Sequence, residues 1–173
     1  MEITTDARYL PETVSAADFA SSIAEFCTAV GAENVHTDDE LVRPYDDQFP
    51  VTDDDEIKGS AVIWPGNAEE VQAIVCIANR YTIPLHAFSA GRNLGYGGSS
   101  PQNTGTALLH MGKRMNRVLE INEKLAYAVV EPGVDFAAFH QAVVDSEGKP
   151  EDWPGRTGLG QRYGQRHGTR YRV

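Results

Sequence analysis

The sequence predicts an α+β domain built in layers, with helices on a short-stranded sheet and a hairpin late in the chain. Three observations carry this. A helical apolar repeat follows Ser15, strand and helix patterns alternate from residue 60 to residue 88, and two β-rich runs flank a polar turn between residues 118 and 131. The 173 residues suffice for one domain with a sizeable core.

Residues 1–12 read as a loose leader ending at Pro11. Ser15 is placed to cap a helix, and Asp18 suits its first turn. Phe19, Ile23, Phe26 and Val30 then share one face, and Gly31 ends the helix. Asp38 to Lys58 is acidic, interrupted by proline and without periodicity, so a surface loop is expected. Its aspartates lack EF-hand spacing, so a solvated loop is favoured over a calcium site.

Ala61–Trp64 reads as a short buried strand closed by Pro65-Gly66. Asn67 can cap the next helix, with Val71, Ile74, Val75 and Ala78 on one face. Ile83–Phe88 is a second strand with Pro84 near its start. A glycine-rich loop, Gly91–Pro101, leads to a third strand, Thr106–His110. Val118–Ile121 and Ala126–Glu131 form a hairpin around Asn122-Glu123-Lys124. Gly133 introduces a last helix on Phe136, Phe139, His140 and Val143. No internal repeat is visible.

Charge divides the chain near residue 150. Residues 1–150 carry a net charge of −13, and residues 151–173 carry +3 through five arginines, for −10 overall. An acidic balance of this size argues against nucleic acid or an anionic membrane as partner. No apolar run approaches the ~18 residues of a transmembrane helix, and the first residues lack a signal peptide's pattern. Cys27 and Cys76 sit in apolar helical patterns and read as buried, inert thiols. A reducing, cytoplasmic setting is therefore expected.

The segment with chemistry is SAGRNLGYGGSSP, residues 89–101. Gly91, Gly95, Gly97 and Gly98 permit a tight backbone path that can aim successive amides at one phosphate or pyrophosphate. Arg92 can add charge, and Ser99 or Ser100 can add hydroxyl donors. The loop is neither a Walker loop nor the dinucleotide fingerprint. On physical grounds, a phosphate cradle and a plain glycine-rich connection both stay open. His36, His86, His110 and His140 show no metal-ligand spacing and read as structural, so no metal is expected. Trp64 reads as core, and no Ser/His/Asp or Cys/His arrangement emerges.

VIWPGNAEEVQAIVCIAN, IPLHAFSAGRNLGYGGSSP and MNRVLEINEKLAYAVVEPGVDFAAFHQAV occur in that order. In this, the stretch from about Ser60 to Val144 resembles the N-terminal half of the PCMH-type FAD-binding domain of FAD-linked oxidases. Within them it is similar to the branch acting on para-substituted phenols: vanillyl-alcohol oxidase, eugenol oxidase and p-cresol methylhydroxylase. The resemblance implies FAD as cofactor, its pyrophosphate wrapped by Ser89, Ala90, Gly91, Arg92, Asn93, Gly95, Tyr96, Gly97 and Gly98. It implies backbone contacts to flavin from Pro65 and Pro132-Gly133. It places the family's phenol-binding loop tyrosine on Tyr96, where it would help hold the substrate as phenolate; a packed aromatic steadying the loop is the plainer alternative. The implied reaction removes a benzylic hydride from a 4-substituted phenol through a quinone-methide-like product. Electrons would pass to oxygen or a redox protein, and family members are often homo-oligomers.

After residue 150 the resemblance leads one to expect GLGWGSVxGNAxERGxGY, whereas the chain reads RTGLGQRYGQRHGTRYRV. One permitted set of codons for Gly158–Arg172, read one base over, gives GWGSVMGNAMERGT. The expectation is an out-of-frame tail on a truncated chain. The domains expected are thus an N-terminal helix and acidic loop (1–58), a partial FAD-binding domain (59–150) and an aberrant basic tail (151–173). A truncated half-domain is expected to expose apolar faces and strand edges. Two alternatives stay open: a non-catalytic flavin- or phosphate-binding half-domain, and an FAD-linked oxidase of another alcohol or hydroxy acid.

Overall fold

Ser15 opens the first helix by accepting the Asp18 amide at 3.1 Å, and α1 runs Ala16–Val30. Gly31 closes it at φ 89°, its amide donating to the Cys27 carbonyl at 3.0 Å. The structure, a computed structural model, describes residues 9–47, 57–91, 98–122 and 124–146. The chain divides into two compact units, Met1–Met115 and Asn116–Val173.

In the first unit, β1 (Val35–His36), β2 (Gly59–Ile63), β3 (Leu85–Phe88) and β4 (Thr106–His110) form one sheet in the order β1-β2-β4-β3. β1 runs antiparallel to β2, while β2, β4 and β3 are parallel. The crossover α3, Ala68–Tyr81, connects β2 to β3. Asn67 caps it, accepting the Glu70 amide at 2.8 Å. α1 and α3 share the main core: Phe19, Ile23, Phe26 and Val30 meet Ile74, Ile77 and Ala78 over Ala61, Ile63, Ala107 and Leu109. Val62 and Leu108 project to the opposite face, where they join Val42 and Phe88. Burial on both faces is why β2 and β4 read as unbroken apolar runs.

Several expectations need correction. The segment 38–58 does not begin as a loop. Asp38 accepts the Leu41 amide at 3.0 Å and starts a one-turn helix, α2 (Asp39–Val42), followed by a 3-10 turn at Arg43–Tyr45. A turn this short shows no periodicity, and what fixes it is Val42 buried in the second core. Asp46 is also buried; it accepts the Gly59 amide at 3.3 Å and pairs with Lys58 at 3.4 Å. Val75 is exposed, because the buried face of α3 is Ile74–Ile77–Ala78. Cys76 lies on that outer face and is exposed, and Cys27 is half-buried, where burial pushes its thiol pKa up. Both are free thiols. Trp64 is only half-buried, at the rim of the second core.

The second unit pairs β5 (Val118–Asn122) with β6 (Tyr127–Val130) as an antiparallel hairpin, followed by α4 (Phe136–Asp145). Asp135 caps α4 through the Ala138 amide at 2.7 Å. Glu131 accepts the Arg117 amide at 2.7 Å and its guanidinium at 2.6 Å, which closes the open end of the hairpin. These bonds hold the Glu131 carboxyl below the usual carboxylate range. The expected inward face of α4 is reduced to Val143: Phe136, in the first turn, is 78% exposed. Leu119, Leu125, Val129 and Val130 are also exposed on the hairpin. The tail at 151–173 lies outside the described residues. Among the described residues, no helix is long and apolar enough to cross a membrane.

Candidate functional site

The three parallel strands of the first unit all deliver their C-terminal ends to one edge of the sheet. From that edge leave Trp64–Gly66 after β2, the glycine-rich loop from Ser89 after β3, and the 3-10 turn Met111–Lys113 after β4. Open α/β sheets bind ligands at this edge, because loops converge there and the strands hold their stems rigid.

The glycine-rich loop leaves and returns at a single point. Gly91 has φ +67°, and a Cβ on it would lie 3.0 Å from Ser99 Cβ, so the departing backbone passes close against the Ser99 side chain on the return. On the return side, His86 Nε2 lies 3.0 Å from the Gly98 carbonyl oxygen. On the departing side, the Gly112 amide donates to the Ser89 carbonyl at 3.2 Å. A Cβ on Gly112 would lie 2.6 Å from that same oxygen, so only glycine allows this approach. Ser89, Ala90, Gly91 and Gly98 are thereby brought together. Arg92, Asn93, Gly95, Tyr96 and Gly97 lie outside the described residues. Pro132 sits exposed in the second unit, in the turn where the Val134 amide donates to Glu131 at 3.1 Å. A loop closed on itself by glycine contacts, with serines at its return, fits a backbone cradle for a pyrophosphate.

Beside this loop lies a ring cluster that no local pattern announces. Tyr45 Oη is 2.8 Å from His110 Nδ1, and the Phe88 ring packs 4.8 Å from His110 and 5.6 Å from Tyr45. Burial raises the Tyr45 phenol pKa, partly offset by the Trp64 indole. Burial, then the Lys113 charge, lowers that of His110. Further along, the His36 and Trp64 rings pack at a tilt of 54° with centroids 4.3 Å apart, and Lys113 Nζ stands 5.4 Å over the Trp64 ring. Among the described residues, no cluster of three or more metal-ligating side chains occurs. The partners Tyr45 and His110 stand 65 positions apart, beyond any local signal. Gly112 offers a weak signal, since a glycine just past a buried strand can mark a close backbone approach.

The sequence pattern of the family described as FAD binding domain matches residues 59–155. Over 137 residues the chain is 31% identical to the flavoprotein subunit of 4-cresol dehydrogenase (hydroxylating) from Pseudomonas putida, covering 79% of this chain and 26% of that one. The solved 4-ethylphenol oxidase from Gulosibacter chungangensis, in complex with isoeugenol, superposes with a TM-score of 0.74 at 69% identity, over 79% of this chain and 26% of that one. The p-cresol methylhydroxylase crystal structure with substrate bound gives a TM-score of 0.72 at 30% identity, with the same coverage of both chains. The chain thus spans about a quarter of the length of these relatives. With its parallel-strand edge and glycine-closed loop, the chain belongs to the FAD-binding-domain family, in the branch of FAD-linked oxidases that includes vanillyl-alcohol oxidase and p-cresol methylhydroxylase.

Proposed function

We propose that this chain is the pyrophosphate-cradling part of an FAD-dependent oxidoreductase of 4-substituted phenols. The observation that carries the reading is the loop at residues 89–101, pinned at Ser89 and Gly98 on the sheet edge where three parallel strands end. Ser89, Ala90, Gly91, Arg92, Asn93, Gly95, Tyr96, Gly97 and Gly98 would hold the phosphates through backbone amides and the Arg92 charge. Pro132 would add a backbone contact to flavin. Bound FAD supplies a two-electron acceptor for a benzylic hydride. Tyr96 would hold the substrate's phenol oxygen as phenolate, stabilising charge as it develops. Support comes from the relatives, a 4-ethylphenol oxidase and a 4-cresol dehydrogenase. In this reading residues 59–150 form the flavin-binding part, and oxygen or a redox protein takes the electrons. The two free thiols favour a reducing, cytoplasmic setting.

Two measurements test this. The purified chain mixed with FAD should keep flavin absorbance through desalting, whereas colourless protein contradicts the cradle. Grafted in place of the matching quarter of the 4-ethylphenol oxidase, the chain should support oxidation of 4-ethylphenol. Tyr96→Phe should then lower kcat/KM by about tenfold or more. A chimera that turns over lactate but not the phenol would overturn the substrate class.

A further inference from the structure

Arg114 follows the turn after β4, yet its side chain reaches the loop after β2. Its Nη1 donates to the Trp64 carbonyl at 2.9 Å and to Glu70 Oε2 at 2.9 Å, and lies 3.5 Å from the Val30 carbonyl at the end of α1. Glu70 in turn accepts the Gly66 amide at 2.7 Å and Asn67 Nδ2 at 3.1 Å. The guanidinium lies flat on Gly66: a Cβ there would stand 2.7 Å from Nη2 and 2.8 Å from Cζ. Two residues earlier, Gly112 ties the same turn to Ser89 at the root of the glycine-rich loop. The turn after β4 thus fastens to the loops after both β2 and β3, one through a guanidinium and one through a backbone contact.

We propose that Arg114 is a positioning residue for the cofactor loop: it fixes the turn that carries Gly112, and through Gly112 the departure of the segment 89–101. This rests on the flavin reading above, since it concerns how the same loop is held. A two-carbonyl, one-carboxylate grip is what a charged, multi-donor side chain supplies and an apolar one cannot. Loss of the grip leaves the strands and both cores intact, because Arg114 touches backbone at element ends, not the Phe26–Ile74 packing.

The test compares the full chain with Arg114→Met and Arg114→Lys. Amide hydrogen exchange is read without FAD, and FAD affinity is read by flavin fluorescence. Arg114→Met should speed exchange at Gly112 at least tenfold while amides of α1 and α3 stay protected, and should weaken FAD about tenfold. Arg114→Lys, which keeps the charge and three donors, should recover much of both effects. Unchanged Gly112 exchange and unchanged FAD affinity in Arg114→Met overturn the inference, as does a loss of protection spread equally over α1 and α3. Failure of the wild-type chain to bind FAD overturns the flavin reading, and this inference with it. Equal binding by wild type and Arg114→Met overturns this inference alone.

Discussion

Tyr45 Oη and His110 Nδ1 meet at 2.8 Å, joining the turn after α2 to the last residue of β4. The contact closes the second core on the sheet face away from α1 and α3, with Phe88 packed against both rings. Burial there, then the Lys113 charge, lowers the His110 pKa by disfavouring the imidazolium.

That shift has a sign in stability. The unfolded chain takes a proton at His110 as the pH falls through the ordinary value of 6.5, while the folded chain takes it only at lower pH. Unfolding therefore takes up a proton in that window, so stability is full above 6.5 and is lost as the pH falls toward the folded value. Urea midpoints should drop from about pH 7.5 to about pH 5.5, and His110→Asn should flatten the drop. An NMR titration placing His110 at or above 6.5 would contradict this.

Thr82 closes α3 with φ 58° and ψ 37°, a left-handed conformation that costs a β-branched residue. It is exposed, and the cap is made by its backbone amide on the Ala78 carbonyl, which any residue can supply. Thr82→Gly should stabilise the chain by about 1 kcal/mol, less the extra freedom glycine gains when unfolded. Thermal melts of the two proteins measure the difference, and a destabilised variant would show that the threonine side chain matters.

Phe26 is fully buried where α1 meets α3 and the sheet. Phe26→Ala should cost about 3–5 kcal/mol, of which the cavity left behind is part. Phe136→Ala, a helical phenylalanine that is 78% exposed, should cost under about 1 kcal/mol. Chemical denaturation of both variants tests whether the two phenylalanines differ as their burial requires.

Legibility in the sequence followed range. α1 was readable because Ser15, Gly31 and the Phe19–Ile23–Phe26–Val30 repeat all act within one helix. β2 and β4 are readable because burial on both faces leaves unbroken apolar runs, Ala61–Ile63 and Ala107–Leu109, at their centres. α2 was not, since one turn has no repeat to detect and only Val42, docked in the second core, holds it. Val75 and Cys76 were assigned inward because apolar residues crowd α3, and composition alone does not say which side of a helix meets the sheet. The glycine-rich loop is readable from its glycines. The side chain that steadies its root, Arg114, is not, because it acts on backbone 50 residues away, and Gly112 shows only as a glycine near a strand end.

The sequence by itself determined the longer helices and strands, the family and the glycine-rich loop proposed for the cofactor, because caps, glycines and apolar repeats act locally and motif order is a property of the chain. Only the tertiary structure decided that β4 enters between β2 and β3, that Tyr45 meets His110, and that Arg114 binds the loop after β2. The two side-chain contacts join residues 65 and 50 positions apart. They exist because the apolar faces of β2 and β4 are buried only when a helical layer covers one side and Val42 and Phe88 cover the other.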